Sequence, residues 1–336
     1  MSAVPYLQYL LFYRPESRAP TSFYLPLLTP TRSAGPTPEA ILMQRVDTHV
    51  HLWDDSELPP WLSDPALASI ACTRSIADFS TAAGPNLQKA IYMEVDVAPA
   101  NRHREAQTVT TLCADSSNPL VGAVIGAPVV DGTLDEFISY AKEWAGNEFV
   151  KGVRQVLHIH PKGTCLRDDI VAKAKLCGEL DLVFELCMKC EELADVATLA
   201  SLAPATRFVL DHCGGHHQLT ADAPAAKREA WRAGISACSK APNVWCKISG
   251  LMGAQGGTEG ASGAAAWTPA AQHETCLFCL DTFREDRLIL GGDWPVCTLT
   301  ATLQDWATCC EEMLATRSAE FQRKVLHANA SEVYRL

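Results

Sequence analysis

A (β/α)8 barrel is the fold class this sequence predicts, and three observations predict it. From Arg45 to the end of the chain, apolar strand-like runs alternate with helix-like runs and no linker interrupts them. The strand-like runs number eight, the count at which a parallel sheet covered by helices closes on itself. Most of them end in ionisable residues, as strands that deliver groups to one open face do.

The first run, Arg45-Val-Asp-Thr-His-Val-His-Leu-Trp-Asp54, carries His49 and His51 two residues apart, so on a strand both imidazoles leave the same face. The plain alternative is a pair of histidines satisfied by hydrogen bonds in a polar corner. The later strands are expected at 89–95, 119–125, 149–156, 182–186, 207–211, 244–249 and 287–291. Amphipathic helices follow them at 102–114, 134–144, 168–180, 191–202, 224–240, 270–283 and after Thr300. This span exceeds the roughly 250 residues typical of such a barrel. The excess falls in the loop 54–84 and in the Gly/Ala-rich stretch 250–268, which is either a lid over the barrel mouth or a low-complexity insertion.

Residues 1–42 read as a separate N-terminal extension and 43–336 as the barrel domain. The extension is rich in Pro, Ser and Thr, its apolar stretch Tyr6 to Tyr13 is too short to span a bilayer, and no charged segment precedes it. It is expected to be disordered or a weak organelle-targeting segment. The chain is 48% hydrophobic and 20% charged with net charge -11, a balance that excludes a basic field for nucleic acid or an anionic membrane. Most of the 14 cysteines lie in apolar runs, where a reduced thiol serves as a small hydrophobe, so a reducing, cytoplasmic setting is expected. The pairs Cys187/Cys190 and Cys276/Cys279 lack the spacing of a structural zinc site.

At the strand ends the candidate groups are His49, His51, Glu94, Arg154, Glu185, Asp211 or His212, Lys247 and Asp293. Burying so many ionisable residues without a shared purpose is costly. Asp293 is the expected general base for water attack on a carbonyl, with His212 and Lys247 as further catalytic groups. Arg154, Trp53, Trp294 and His158 are the expected substrate contacts; the alternative for Arg154 and Lys247 is an ion-pair network closing the barrel. Asp211 and His212 are adjacent on a strand and point opposite ways, so only one can face the site, and His212 is assigned to it. His160, His216 and His217 read as loop residues, and His103, His273 and His327 as helical and structural.

Five segments come in an order that resembles the amidohydrolase-related (amidohydrolase 2) family: Asp47-Thr-His-Val-His-Leu-Trp-Asp54, Lys151-Gly-Val-Arg154, Phe208-Val-Leu-Asp-His-Cys-Gly214, Cys246-Lys-Ile-Ser-Gly-Leu251 and Gly292-Asp-Trp-Pro-Val-Cys297. The chain is most similar to its sugar-lactonase branch, of the L-fuconolactonase and L-rhamnono-γ-lactonase type, and the closing Asn329-Ala-Ser-Glu-Val-Tyr-Arg-Leu336 fits that branch too. The resemblance implies a metal-dependent-hydrolase barrel that opens a sugar-acid lactone, with His49, His51, His212 and Asp293 matching the active-site pattern. Two departures disfavour a two-metal site: Phe184-Glu-Leu-Cys187 offers no histidine after strand 5, and Lys151 sits early in its strand. One zinc held by His49, His51 and Asp293, with His212 or Glu185 as a further donor, and a metal-free site are both left open. The expected partner is a small sugar lactone, with no nucleic acid and no membrane, and a homo-oligomer is left open. A zinc-dependent decarboxylase and a non-catalytic binding barrel are the competing readings.

Overall fold

Eight parallel strands run in sequence order around the computed structural model, which describes residues 44–215, 219, 223–252 and 269–336. They are β1 (Arg45–Val50), β2 (Leu87–Met93), β3 (Leu120–Gly126), β4 (Val150–Arg154), β5 (Val183–Leu186), β6 (Phe208–Leu210), β7 (Val244–Ile248) and β8 (Leu288–Leu290). Each pairs in parallel with the next. The seam between β8 and β1 is closed by main-chain bonds: Asp293 N–H donates to the His49 carbonyl and His51 N–H to the Trp294 carbonyl, both at 2.8 Å. The fold is therefore the (β/α)8 barrel expected from the alternation. The expected boundary between 42 and 43, the extension itself and the 253–268 part of the expected lid lie outside the described residues.

The helices that cover the sheet are α1 (Ile76–Ala83), α2 (Arg102–Cys113), α3 (Leu134–Trp144), α4 (Asp168–Glu179), α5 (Leu193–Leu202), α6 (Ala225–Lys240), α7 (Pro269–Thr282) and α8 (Leu303–Leu314). Local chemistry starts several of them. Ser75, Thr133 and Thr302 each form a reciprocal capping box with the acidic residue three positions on, satisfying main-chain donors that the first turn leaves free. None of the described helices is long and apolar enough to cross a membrane. All fourteen cysteines are free thiols and all but Cys72 are buried.

Side chains alternate between the barrel axis and the helical layer, and this alternation builds the interior in tiers. Val183, Val209, Trp245 and Ile289 form part of an apolar floor. Two residues further on come Glu185, Asp211 and Lys247, whose charged side chains form a polar tier, and Gly291 just past the end of β8. A last helix, α9 (Asn329–Tyr334), contributes Ala330, Val333 and Tyr334 to the apolar floor.

Candidate active site

The β8–β1 seam brings His49, His51 and Asp293 together. Glycine at 291 makes this possible, since a Cβ there would sit 2.7 Å from that of His49. Asp293 turns its chain with a left-handed φ of +57°, and the Trp294–Pro295 peptide is cis. The two histidine Nε2 atoms lie 3.2 Å apart, and one Asp293 carboxylate oxygen lies 3.5 Å from the first and 3.4 Å from the second. Three donors about 2.0–2.1 Å from a tetrahedral ion stand about 3.3 Å from one another, so the triangle has the size of a zinc face. His51 Nδ1 faces the Met93 carbonyl at 3.0 Å. A carbonyl only accepts, so His51 carries its proton on Nδ1 and turns the Nε2 lone pair to the centre.

Beneath this triangle lies a closed ionic layer. Lys247 Nζ is 2.7 Å from Glu185 Oε2, 3.1 Å from Asp211 Oδ1 and 3.4 Å from His49 Nδ1. Arg154 donates from Nε to Glu94 Oε1 at 2.6 Å, from Nη2 to the Glu94 carbonyl at 2.8 Å and from Nη1 to Asp211 Oδ2 at 3.1 Å. All six side chains are nearly or fully inaccessible to solvent. Burial alone would raise the Asp211 carboxyl, but Lys247 and His49 outweigh it and hold it well below the ordinary range. The same contest at Asp293, burial against His212, a hydrogen bond to His51 and His49, again leaves the carboxyl depressed and ionised at neutral pH. Burial and Lys247 together press His49 well below the usual imidazole value.

Asp211 and His212 both face the centre, contrary to the sequence reading that admitted only His212. β6 ends at Leu210, so alternation carries Asp211 inward two places after Val209. His212 and Cys213 then take left-handed φ of +54° and +51°, which swings the His212 ring to 4.6 Å from that of His49. Its Nδ1 is 3.0 Å from Ser249 Oγ. Gly250 leaves room for that ring, because a Cβ there would fall 2.1 Å from His212 Nδ1.

Above the triangle opens a cavity of about 310 Å³ lined by His51, Trp61, Val95, Asp96, Arg154, Val156, His158, Ile159, Cys187, His212, Gly250, Asp293 and Val296. Four sequence assignments need correction here. Lys247 lies under the cavity with its ammonium taken by Glu185 and Asp211, so it does not touch substrate. Glu185 is bound by Lys247 and Tyr334 and is not among the grouped donors His49, His51 and Asp293. Trp53 stands behind His51, its indole N–H directed at the Ile70 and Cys72 carbonyls, and Trp294 is buried against Phe79. The indole that lines the cavity is Trp61, held by donation to the Val95 carbonyl at 2.8 Å. It comes from the 3-10 turns of the loop 54–84, where no periodicity marks a side chain's direction. Arg154 and His158 do line the cavity; His103 sits at the surface beside Glu143; His216, His217 and the His273 side chain lie outside the described residues.

Residues 46–336 match the family model described as Amidohydrolase. The chain belongs to the amidohydrolase family. Among curated proteins, this amidohydrolase is similar to an L-fucono-1,5-lactonase of Burkholderia multivorans, 26% identical over 287 residues, covering 84% of this chain and 92% of the relative. Among solved structures it is similar to an amidohydrolase from Burkholderia multivorans with bound zinc, with TM-score 0.72 and 21% identity, covering 87% of this chain and 99% of the other. It also resembles 2,6-dihydroxybenzoate decarboxylase, with TM-score 0.57 and 12% identity, covering 88% and 100% of the two chains. Likeness at these last two levels is likeness of fold.

Proposed function

We propose that this amidohydrolase hydrolyses a neutral sugar-acid lactone, of the L-fucono- or L-rhamnono-lactone type, to the open hydroxy acid. The observation that carries the reading is the ionised Asp293 carboxylate held against His49 and His51 at the floor of a cavity large enough for one small ring. Water attacks the lactone carbonyl carbon while its proton passes to Asp293. The ring C–O bond then breaks, and the leaving oxygen takes the proton back, so water is consumed and a hydroxy acid formed. His212, steadied by Ser249, hydrogen-bonds the carbonyl oxygen, and Trp61 and the apolar wall flank the ring.

His49, His51 and Asp293 fit a single divalent cation by donor type and spacing, and these three would hold it. When bound, such an ion supplies Lewis acidity that makes water a better proton donor at neutral pH. Asp211, 3.5 Å from His49 Nδ1, and the Met93 carbonyl are the outer partners that would orient the two imidazoles.

One feature favours a neutral ring over the carboxylated substrate of a decarboxylase. Among the described residues Arg154 is the one arginine or lysine lining the cavity, and Glu94 and Asp211 already occupy it. A substrate carboxylate would compete with two buried acids for the same guanidinium. The L-fucono-1,5-lactonase relative supports the same choice. Purified protein offered a panel of aldonolactones with a pH indicator is expected to release acid, and dihydroxybenzoates are expected to release no carbon dioxide. The reverse pattern would replace the lactonase by the decarboxylase.

A further inference from the structure

The extreme C-terminus reaches the active site from the opposite end of the barrel. Asn329 pins α9 beneath the sheet by donating to the Glu285 and Leu288 carbonyls at 2.7 and 2.8 Å. Ala330 and Val333 pack into the apolar floor beside Val46, Ile91, Val183 and Ile289. The Tyr334 side chain, 1% exposed, rises through that floor, and its hydroxyl donates to Glu185 Oε1. The other oxygen of Glu185 accepts from Lys247 at 2.7 Å, and Lys247 Nζ stands 5.9 Å from the centre of the Tyr334 ring.

We propose that Tyr334 is a positioning residue for the catalytic centre, acting through Glu185 and Lys247 on His49. Lys247 Nζ lies 2.7 Å from Glu185 Oε2 and 3.1 Å from Asp211 Oδ1, and Asp211 is the carboxylate that faces His49 Nδ1 at 3.5 Å. Its place is thus set by two carboxylates, one of which orients His49. Tyr334 fixes the Glu185 carboxylate by occupying one oxygen, which leaves the other aimed along the barrel axis at Lys247. Without that hydroxyl the carboxylate is free to turn and take Lys247 in a different geometry, and the ammonium shifts against Asp211, the partner of His49 Nδ1. The groups along this route are all buried, where losing a partner costs more than it does at the surface. The sequence marks Tyr334 only as part of the segment 329–336, because no periodicity shows that α9 directs this side chain into the barrel.

The inference rests on the reading of His49 as part of the working site, and its test uses a signal that exists whether or not a lactone is turned over. In the full-length protein labelled with 15N-histidine, the His49 ring resonances are those lost in His49→Asn. Tyr334→Phe is expected to move them, and so is Lys247→Met, or Glu185→Gln should the lysine variant not fold. In the double variant the tyrosine change is expected to add nothing further, because its route to His49 has been cut. With a lactone that the wild type hydrolyses, Tyr334→Phe is expected to lower kcat by about tenfold at unchanged KM. Unmoved His49 resonances in Tyr334→Phe, with only a lower melting temperature, would show packing alone and overturn the proposal. An undiminished shift in the double variant would overturn it as well. Absence of turnover on every lactone would count against the proposed reaction while the resonances still judge Tyr334.

Discussion

His158 shows how the cavity treats an imidazole. Burial, with His212 and Arg154 nearby, presses it from 6.5 down to about 4, so it is neutral in the folded protein. In the unfolded chain the same group takes up a proton below its ordinary value. Between those two pH values the unfolded state therefore binds more protons than the folded one, so stability rises with pH across the window and is lost as pH falls through it. His49 and His212 are depressed too, His49 strongly, and add to the same slope. Urea midpoints between pH 4 and 6.5 are expected to climb, with a shallower climb in His158→Asn. Equal slopes in the two proteins would remove His158 from this account.

At the level of elements, the ends of β6 and β7 work as one unit. The left-handed turn after Leu210 delivers His212, and Gly250, with φ +67°, leaves the space that its ring occupies. Gly250→Ala pays twice, for a left-handed alanine at about 1–2 kcal/mol and for the collision with His212. Loss of at least about 1 kcal/mol in urea unfolding and a marked fall in activity are expected, and a variant with wild-type stability and activity would contradict the assignment. The same unit marks how far the sequence could be read. Strand runs and their apolar period were plain in it, as were the residues near their ends, because both follow from alternation. Asp211 was also within reach, two places after inward Val209, but was set aside by treating His212 as still on the strand. The swing of His212 depends on dihedrals that no periodicity reports, and the exchange of Trp53 for Trp61 depends on 3-10 turns. Lys247 was seen at a strand end, yet its depth below the cavity follows from two carboxylates, Glu185 and Asp211, supplied by the neighbouring chain runs.

Across the whole molecule, closure of the barrel is what makes chemistry of these residues. The first strand and the last meet at one seam, and there the His49 and Asp293 main chains bond to each other while their side chains share a centre. The floor below is apolar and plugged by α9, the tier above it is ion-paired, and the cavity opens beyond His51 and Asp293. In this tier Arg154 and Lys247 are each paired with carboxylates, while the Asp293 carboxylate faces the cavity. Asp293→Asn tests this arrangement most directly, because asparagine tolerates the left-handed backbone that Asp293 adopts and keeps the side-chain shape. Measured on a lactone that the wild type opens, kcat is expected to fall by about 10²- to 10⁴-fold with the melting temperature nearly unchanged. A folded Asp293→Asn protein that hydrolyses the lactone at the wild-type rate would contradict the account.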